Sequence, residues 1–438
     1  MTEPAAQPKP TVDQNVIRSN EYQIVQKIDG EQLRVMRFAP KTKILIEKLR
    51  FMSDSSFGHP YGVFEVVGDK SIPVAIDQLK EELAEQEQKP EEKEEEEQVD
   101  RVVIAPSALK LEPEQKRQKL DQDSVLEMKK LGVTGNELVT ELVKGSASFN
   151  TRTTYSQSKY ITRKAKKHSD RVLILKPTIR LIAKAYYLKD PERIALLRND
   201  QLGLILQMAG IHHGKNVIVF EQTLGLITSA VVERLGGKGA CVHIHRGATA
   251  QSIPCVHSMN FDSETMEAFL PVRLKCILAG EQLAYDLNRK WVEREEKEDE
   301  KIEEVEKMED VEEDKGDDVQ MIRRNERLDK EKRGLDIIEN GQGHALIIGC
   351  RMIDPVAVLE KIYPKLAPAA TVVVYSQHQN VVVAAYKWLS KNYAINLNIS
   401  NQMCRIMQVL PDRTHPLMSQ FVAGGHVLSG IKTLPPDS

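Results

Sequence analysis

From residue 216 onward, apolar and polar positions group into blocks that fit strands and helices by turns. Residues 216–247 give a buried strand (217–220) ending in Glu221, a turn, an apolar helix closed by Gly236 and Gly237, and a second strand. Such a βαβ unit opens a nucleotide-binding α/β sheet. A short strand near 254–257 and an apolar helix around 272–287 are expected next. Farther on, 344–349 and 370–376 read as strands, 355–366 and 381–391 as helices, and 394–399, 404–410 and 426–431 as closely spaced strands. A helical pattern over 191–209, with Asp190 as N-cap, proline at the first helical position and Gly210 as stop, leads into the βαβ unit.

Upstream the pattern is that of β structure. Runs at 22–28 and 33–38 flank Asp29-Gly30, a hairpin signal, and 44–46 and 63–67 follow. Residues 57–62, FGHPYG, read as a packed turn. Two short helices are expected at 123–131 and 135–144. The organisation that results is a disordered tail over 1–15, then an N-terminal antiparallel β domain over 16–120 with an acidic insertion at 79–100. A helical and basic linker follows over 121–190, then an α/β domain over 191–438 with a disordered acidic insertion at 291–334. Alternating strands and helices predict a doubly wound, mostly parallel sheet, and the final strands predict an antiparallel hairpin at its edge. That arrangement resembles the Rossmann-like fold of class I methyltransferases.

Composition changes this picture in one respect. The chain carries 41% hydrophobic and 29% charged residues with a net charge of −3. Residues 81–97 alone hold −8 and residues 293–318 hold −11, which leaves +16 on the remainder. A body that basic suits a polyanionic partner, nucleic acid above all, although an evenly spread solvated surface also fits. No run of 18 apolar residues occurs, so no bilayer span is expected. The first 15 residues have neither a basic region nor an apolar core, which predicts an intracellular protein. Five scattered cysteines without a C-x-x-C pair suggest neither a disulfide framework nor a zinc ribbon.

The positive charge concentrates at 146–181, where Lys159, Arg163, Lys164, Lys166, Lys167, Lys176 and Arg180 lie near Phe149, Tyr155 and Tyr160. Cations there could neutralise phosphates while an aromatic ring stacks on an unpaired base. A solvated helix face or a nuclear localisation signal fits the same residues. Lys43, Lys48 and Arg50 add further cations on the β domain.

The nucleotide-binding turn is damaged. Thr223, Gly225 and Ile227 stand where three alternate glycines would let the backbone approach a cofactor, so β-branched side chains are expected where the ligand would lie. The second strand ends His243, Ile244, His245, Arg246, without the carboxylate that would hold ribose hydroxyls. Binding of S-adenosylmethionine to the degenerate site at Glu221, Thr223, Gly225 and Ile227 is therefore not expected. Asp354-Pro355, at the catalytic corner after the fourth strand, reads as an N-cap and first helical proline. Cys241, His243 and His245 share one face of a strand, a spacing that suits metal ligands but also a buried sheet face, and no fourth ligand is identifiable. His212 and His213 are expected in the turn before the first strand.

Seven stretches, taken in order, carry a resemblance. They are FGHPYGVFEV (57–66), SASFNTRTTYSQSKYITRKAKKH (146–168), LKPTIRL (175–181), LLRNDQLGLILQMAGI (196–211), TLGLITSAVVERLGGKG (223–239), VLPDRTHPLM (409–418) and GGHVLSGIK (424–432). With them the chain resembles the non-catalytic, RNA-binding subunits of the eukaryotic tRNA (adenine(58)-N(1))-methyltransferase, a family also described as a translation initiation factor subunit. The resemblance implies a methyltransferase-like domain that has lost its cofactor site, with no catalytic residue in this chain. It also implies a catalytic sister subunit that carries S-adenosylmethionine, a heterotetramer of two plus two, tRNA bound across both subunit types, and a place in the nucleus. The alternatives are an RNA-binding translation factor acting without a catalytic partner and a self-sufficient S-adenosylmethionine-dependent RNA methyltransferase.

Overall fold

A computed structural model describes residues 15–75 apart from 29, 31 and 48, residues 135–146, and isolated positions between 120 and 164. It also describes residues 170–278 apart from 248–249 and 251–252, and residues 316–435 apart from 410–413 and 419. The expected tail up to 14, the first acidic insertion at 79–100 and positions 291–315 of the second lie outside the described residues. The chain divides into two compact units, Met1–Lys176 and Pro177–Ser438. That division falls within the stretch 121–190 expected to be a linker, and part of the supposed linker belongs to each unit.

In the first unit, β1 (Tyr22–Lys27), β2 (Leu33–Arg37), β5 (Gly62–Val67), β6 (Lys70–Pro73) and β7 (Arg171–Leu175) form one antiparallel sheet in the order β2-β1-β7-β5-β6. β3 (Lys43–Ile46) and β4 (Leu49–Met52) pair separately. The central strand β7 comes from the expected linker, and its Val172 and Ile174 enter the core beside Val25, Phe38, Phe51 and Phe64. The 57–62 loop is a packed turn, as expected. His59 accepts from Ile17 N at 2.9 Å, and the carbonyl of Ile17 accepts from Gly58 N at 3.0 Å. Helix α1 (Gly135–Lys144) has the predicted bounds and buries Leu138 and Leu142.

The second unit opens with α2 (Ile179–Lys189), α3 (Asn199–Met208), β8 (Asn216–Glu221), α4 (Leu226–Leu235) and β9 (Ala240–His245). Short helices α5 (Pro254–Ser258) and α6 (Ser263–Met266) precede β10 (Phe269–Arg273). After them come α7 (Gly316–Glu339), β11 (Gly343–Cys350), α8 (Pro355–Ile362), β12 (Leu366–Ser376), α9 (Gln379–Lys391) and β13 (Ala394–Ser400). A two-stranded ribbon of β14 (Met407–Gln408) and β15 (His415–Pro416) separates β13 from β16 (His426–Lys432). The sheet order is β10-β9-β8-β11-β12-β16-β13. Strands β10 to β12 are mutually parallel, and β16 runs antiparallel to both its neighbours. This is the doubly wound sheet with an antiparallel edge that the alternation of elements predicts. One face is closed by α7, α8 and α9, whose Ile338, Leu359 and Leu389 pack on Ile218, Val242, Leu346 and Val372.

Four expectations fail locally. Residues 254–257 are helical, not extended, because the stretch is too short for periodicity to separate the two. The helix expected from 272 is preceded by strand β10, paired in parallel with β9 from Phe269 to Arg273. The pattern over 191–209 breaks into a 3-10 turn, Pro191–Ile194, and α3, with Ala195 and Leu196 in the left-handed region between them, and Asp190 makes no side-chain cap. Lastly, residues 316–334 of the expected disordered insertion form most of α7. This helix is charged nearly all round, yet Glu331, Leu335 and Ile338 are buried on one stripe. Arg273 at the end of β10 donates to both oxygens of Glu331, at 2.8 and 2.7 Å. Burial alone would raise the Glu331 carboxyl, but these bonds hold it below the usual range.

Candidate functional site

In an open α/β sheet, ligands bind beyond the carboxyl ends of the strands where the strand order reverses. Here that place lies between β8 and β11, which are in register with Glu221 beside Gly349. Two loops face each other across it, residues 222–225 after β8 and residues 351–354 after β11.

The first loop is closed by its own carboxylate. Glu221 accepts from Ile227 N at 3.2 Å and Thr228 N at 2.6 Å, and from the hydroxyls of Thr223 and Thr228. The amides at the start of α4, which elsewhere make a ready anion site, are thus satisfied from within the chain. Desolvation raises the Glu221 carboxyl above its ordinary range despite these four donors. His243 Nδ1 lies 2.8 Å from Thr228 Oγ1, so the ring joins the same hydrogen-bonded group. His243 stacks on His245 with ring centroids 6.3 Å apart and packs on Phe269, and burial lowers its pKa to about 4. The buried-face reading of Cys241 and His243 therefore holds.

Thr223 and Ile227 are fully buried. The sequence predicts these side chains where a cofactor would lie; instead they turn inward. Thr223 reaches Glu221, and Ile227 lies on Gly349, where an added Cβ would stand 2.6 Å from its Cδ1. Gly225 holds φ +77° as N-cap of α4, and an added Cβ would stand 2.9 Å from the Cβ of Ile253. The segment entering α5 thus lies directly on the turn, and Cys255 N donates to Leu224 O at 3.2 Å.

The second loop is closed by Gln222, which no sequence motif singled out. Its backbone N donates to Gly349 O at 2.9 Å. Its side-chain oxygen accepts from three successive amides, Arg351 N at 3.1, Met352 N at 3.0 and Ile353 N at 3.1 Å. One neutral side chain therefore crosses the reversal point and fills a concavity of backbone donors suited to an anion. Asp354 caps α8 by accepting from Val356 N at 3.0 Å, which bears out the N-cap reading. Burial and the charge of Asp354 push the Cys350 thiol up to about 12.

An S-adenosylmethionine molecule does not fit these residues. The carboxylate and the helix amides engage each other, Ile253 sits on Gly225, Gln222 holds the opposite loop, and β9 ends in His245 followed by an exposed Arg246.

Of the candidate phosphate contacts, Lys159, Arg163, Lys166 and Lys167, with Lys48 and Tyr155, lie outside the described residues. Lys164 lies over the Tyr160 ring at 5.4 Å, and Tyr160 packs edge-on against Phe149 at 5.7 Å. The aromatic pair is thus engaged within the chain. Lys43, Arg50, Lys176 and Arg180 are exposed. His212 and His213 sit before β8, as expected, and His213 Nδ1 meets the Leu235 carbonyl at the end of α4 at 2.8 Å.

Comparison with known proteins places this architecture. The Gcd10p family matches residues 16–316. The tRNA (adenine(58)-N(1))-methyltransferase non-catalytic subunit trm6 of Dictyostelium discoideum is 30% identical over 431 residues, covering 96% of this chain and 80% of that protein. The corresponding mouse subunit is 27% identical over 471 residues, covering 98% and 91%. Among solved structures, a SAM-dependent O-methyltransferase from Thermotoga maritima superposes with a TM-score of 0.50 at 9% identity, covering 97% of each chain. That likeness shows the class I methyltransferase fold.

Proposed function

Because the chain belongs to the Gcd10p family, we propose that it is the non-catalytic, tRNA-binding subunit of a tRNA (adenine(58)-N(1))-methyltransferase. One observation carries the non-catalytic role: the amides at the ligand-binding edge are taken up within the chain, those of α4 by Glu221 of the same loop and those of 351–353 by Gln222 across the crevice. In this reading a catalytic sister subunit supplies S-adenosylmethionine and the reacting groups, two of each chain assemble, and this chain holds tRNA. The excess of positive charge outside the two acidic runs supports the RNA-binding role, and the basic stretch over 159–167 supports nuclear import.

Calorimetry separates this reading from a self-sufficient enzyme. The isolated chain should give no heat with S-adenosylmethionine, and the complex with its catalytic subunit should bind it. Micromolar binding by the isolated chain would overturn the proposal. A purification of the tagged chain that lacked a near-stoichiometric methyltransferase-like subunit would favour the translation-factor alternative instead. Reversing charge at Lys164, Lys166 and Lys167 should weaken tRNA binding by about tenfold or more and flatten its salt dependence. Unchanged affinity would remove those lysines from the interface.

A further inference from the structure

The rim of the closed crevice has a chemistry that the crevice itself does not use. Strands β9, β8, β11 and β12 are neighbours and run parallel, so their carboxyl ends lie side by side. Ile244 is in register with Phe220, Gly349 with Glu221, and Ser376 with Cys350. Arg246, Arg351 and His378 stand two positions beyond Ile244, Gly349 and Ser376, and all three are exposed. With strands spaced about 4.8 Å apart, the backbone at Arg351 lies about 5 Å from that at His378 and about 10 Å from that at Arg246.

Met352 is 83% exposed on a backbone that is held in place. Its amide donates to Gln222 at 3.0 Å between the bonds from Arg351 N and Ile353 N, and the next side chain, Ile353, packs on the core. His378 is held likewise, as the N-cap residue of α9 whose backbone N donates to Ser376 Oγ at 3.3 Å. The carboxylates among the described residues of these four strand ends are Glu221, which is enclosed by its own donors, and Asp354, which caps α8. The rim therefore presents two guanidinium groups, a thioether and an imidazole, with an excess of positive charge.

The combination singles out a ligand. A thioether packs well against aromatic rings, an imidazole stacks on unpaired bases, and a guanidinium pairs with phosphate. A nucleotide offers both a ring face and a phosphate. Within a duplex the ring faces are covered by neighbouring bases, so these side chains select a nucleotide that is unpaired. We infer that the rim holds one unpaired nucleotide of the bound tRNA, its base against Met352 and His378, its phosphate on Arg351 and the adjoining phosphate on Arg246. The nucleotide held is not the one methylated, because the crevice beneath it does not fit S-adenosylmethionine. The inference rests on the tRNA-binding role proposed above.

The test uses the complex with the catalytic subunit of the same organism. A double variant, Arg351→Glu with Met352→Asp, should weaken tRNA binding by about tenfold or more and lower the slope of its salt dependence by about 1. The variant complex should assemble and bind S-adenosylmethionine as the wild type does, and the isolated variant should melt with the wild type, because both side chains are exposed. A photoreactive phenylalanine analogue in place of Met352 should cross-link to a tRNA nucleotide outside the helical stems. Equal affinity in the double variant, or cross-links confined to stems or to protein, would overturn the inference and leave the tRNA-binding role intact. Adenosine monophosphate that protected position 352 as well as tRNA does would assign the rim to a free nucleotide and also overturn it. Failure of the wild-type complex to bind tRNA would overturn the proposed function and this inference together.

Discussion

The crevice between β8 and β11 and the arm between β13 and β16 belong to one unit but treat their surfaces in opposite ways. At the crevice, polar groups able to hold a ligand are directed at one another, so that Glu221 takes up the first amides of α4 and Gln222 takes up the amides of 351–353. In the arm, apolar groups able to form a core are directed at solvent, and the polar effort goes into clamping the backbone. Retained hydrogen-bond donors are therefore no sign of retained binding.

The sharpest way to break this contrast is to remove Glu221. Glu221→Ala would leave two buried hydroxyls and two helix amides without their acceptor. With about 1–3 kcal/mol for each buried donor left unsatisfied and partial recovery by water, denaturant unfolding should register a loss of about 3 kcal/mol or more. A residue kept for ligand binding would behave otherwise, with little change in stability and a loss of binding. Wild-type stability in Glu221→Ala would show that the crevice is not held closed by its own carboxylate.

The arm makes the next prediction. Arg198→Ala removes the charge-assisted bonds that Arg198 donates to the carbonyls of Gln402 and Val422, at the two ends of the arm, and should cost about 2 kcal/mol, with faster proteolysis confined to residues 401–425. Arg198→Lys should recover only part of this, because a single ammonium cannot reproduce the planar fork that reaches Gln402, Val422 and Asp200 together. An arm as protease-resistant in Arg198→Ala as in the wild type would remove the positioning role of Arg198.

How far the sequence reveals this arrangement depends on whether the information is local. The β8-α4-β9 unit is legible because each element carries its own pattern and its own stop, with Gly236 in the left-handed conformation at the end of α4. The damage to the glycine turn is legible too, as Thr223 and Ile227 at two of its three positions. Strand β7 is not, because VLIL acquires its place only by pairing with β1 and β5, far away in the chain. Nor is α7, whose helical period is hidden by charge and shows only through Glu331, Leu335 and Ile338 against β10. The inward turn of Ile227 depends on Gly349, more than 100 residues on, and the plug formed by Gln222 depends on amides that have no side-chain signature at all.

Gln222 gives the smallest effect and the finest test. Gln222→Ala leaves Arg351 N, Met352 N and Ile353 N without a common acceptor, but the first two face solvent and water can replace the lost oxygen. The expected cost is about 1 kcal/mol, well below that of Glu221→Ala, where the donors are enclosed. If the cofactor site had been lost through this plug alone, Gln222→Ala would regain binding of S-adenosylmethionine in calorimetry. Ile253 on Gly225 and the Glu221 carboxylate on α4 predict that it will not, since both remain after the plug is gone. Regained binding in the single variant would show that Gln222 alone keeps S-adenosylmethionine out of the crevice.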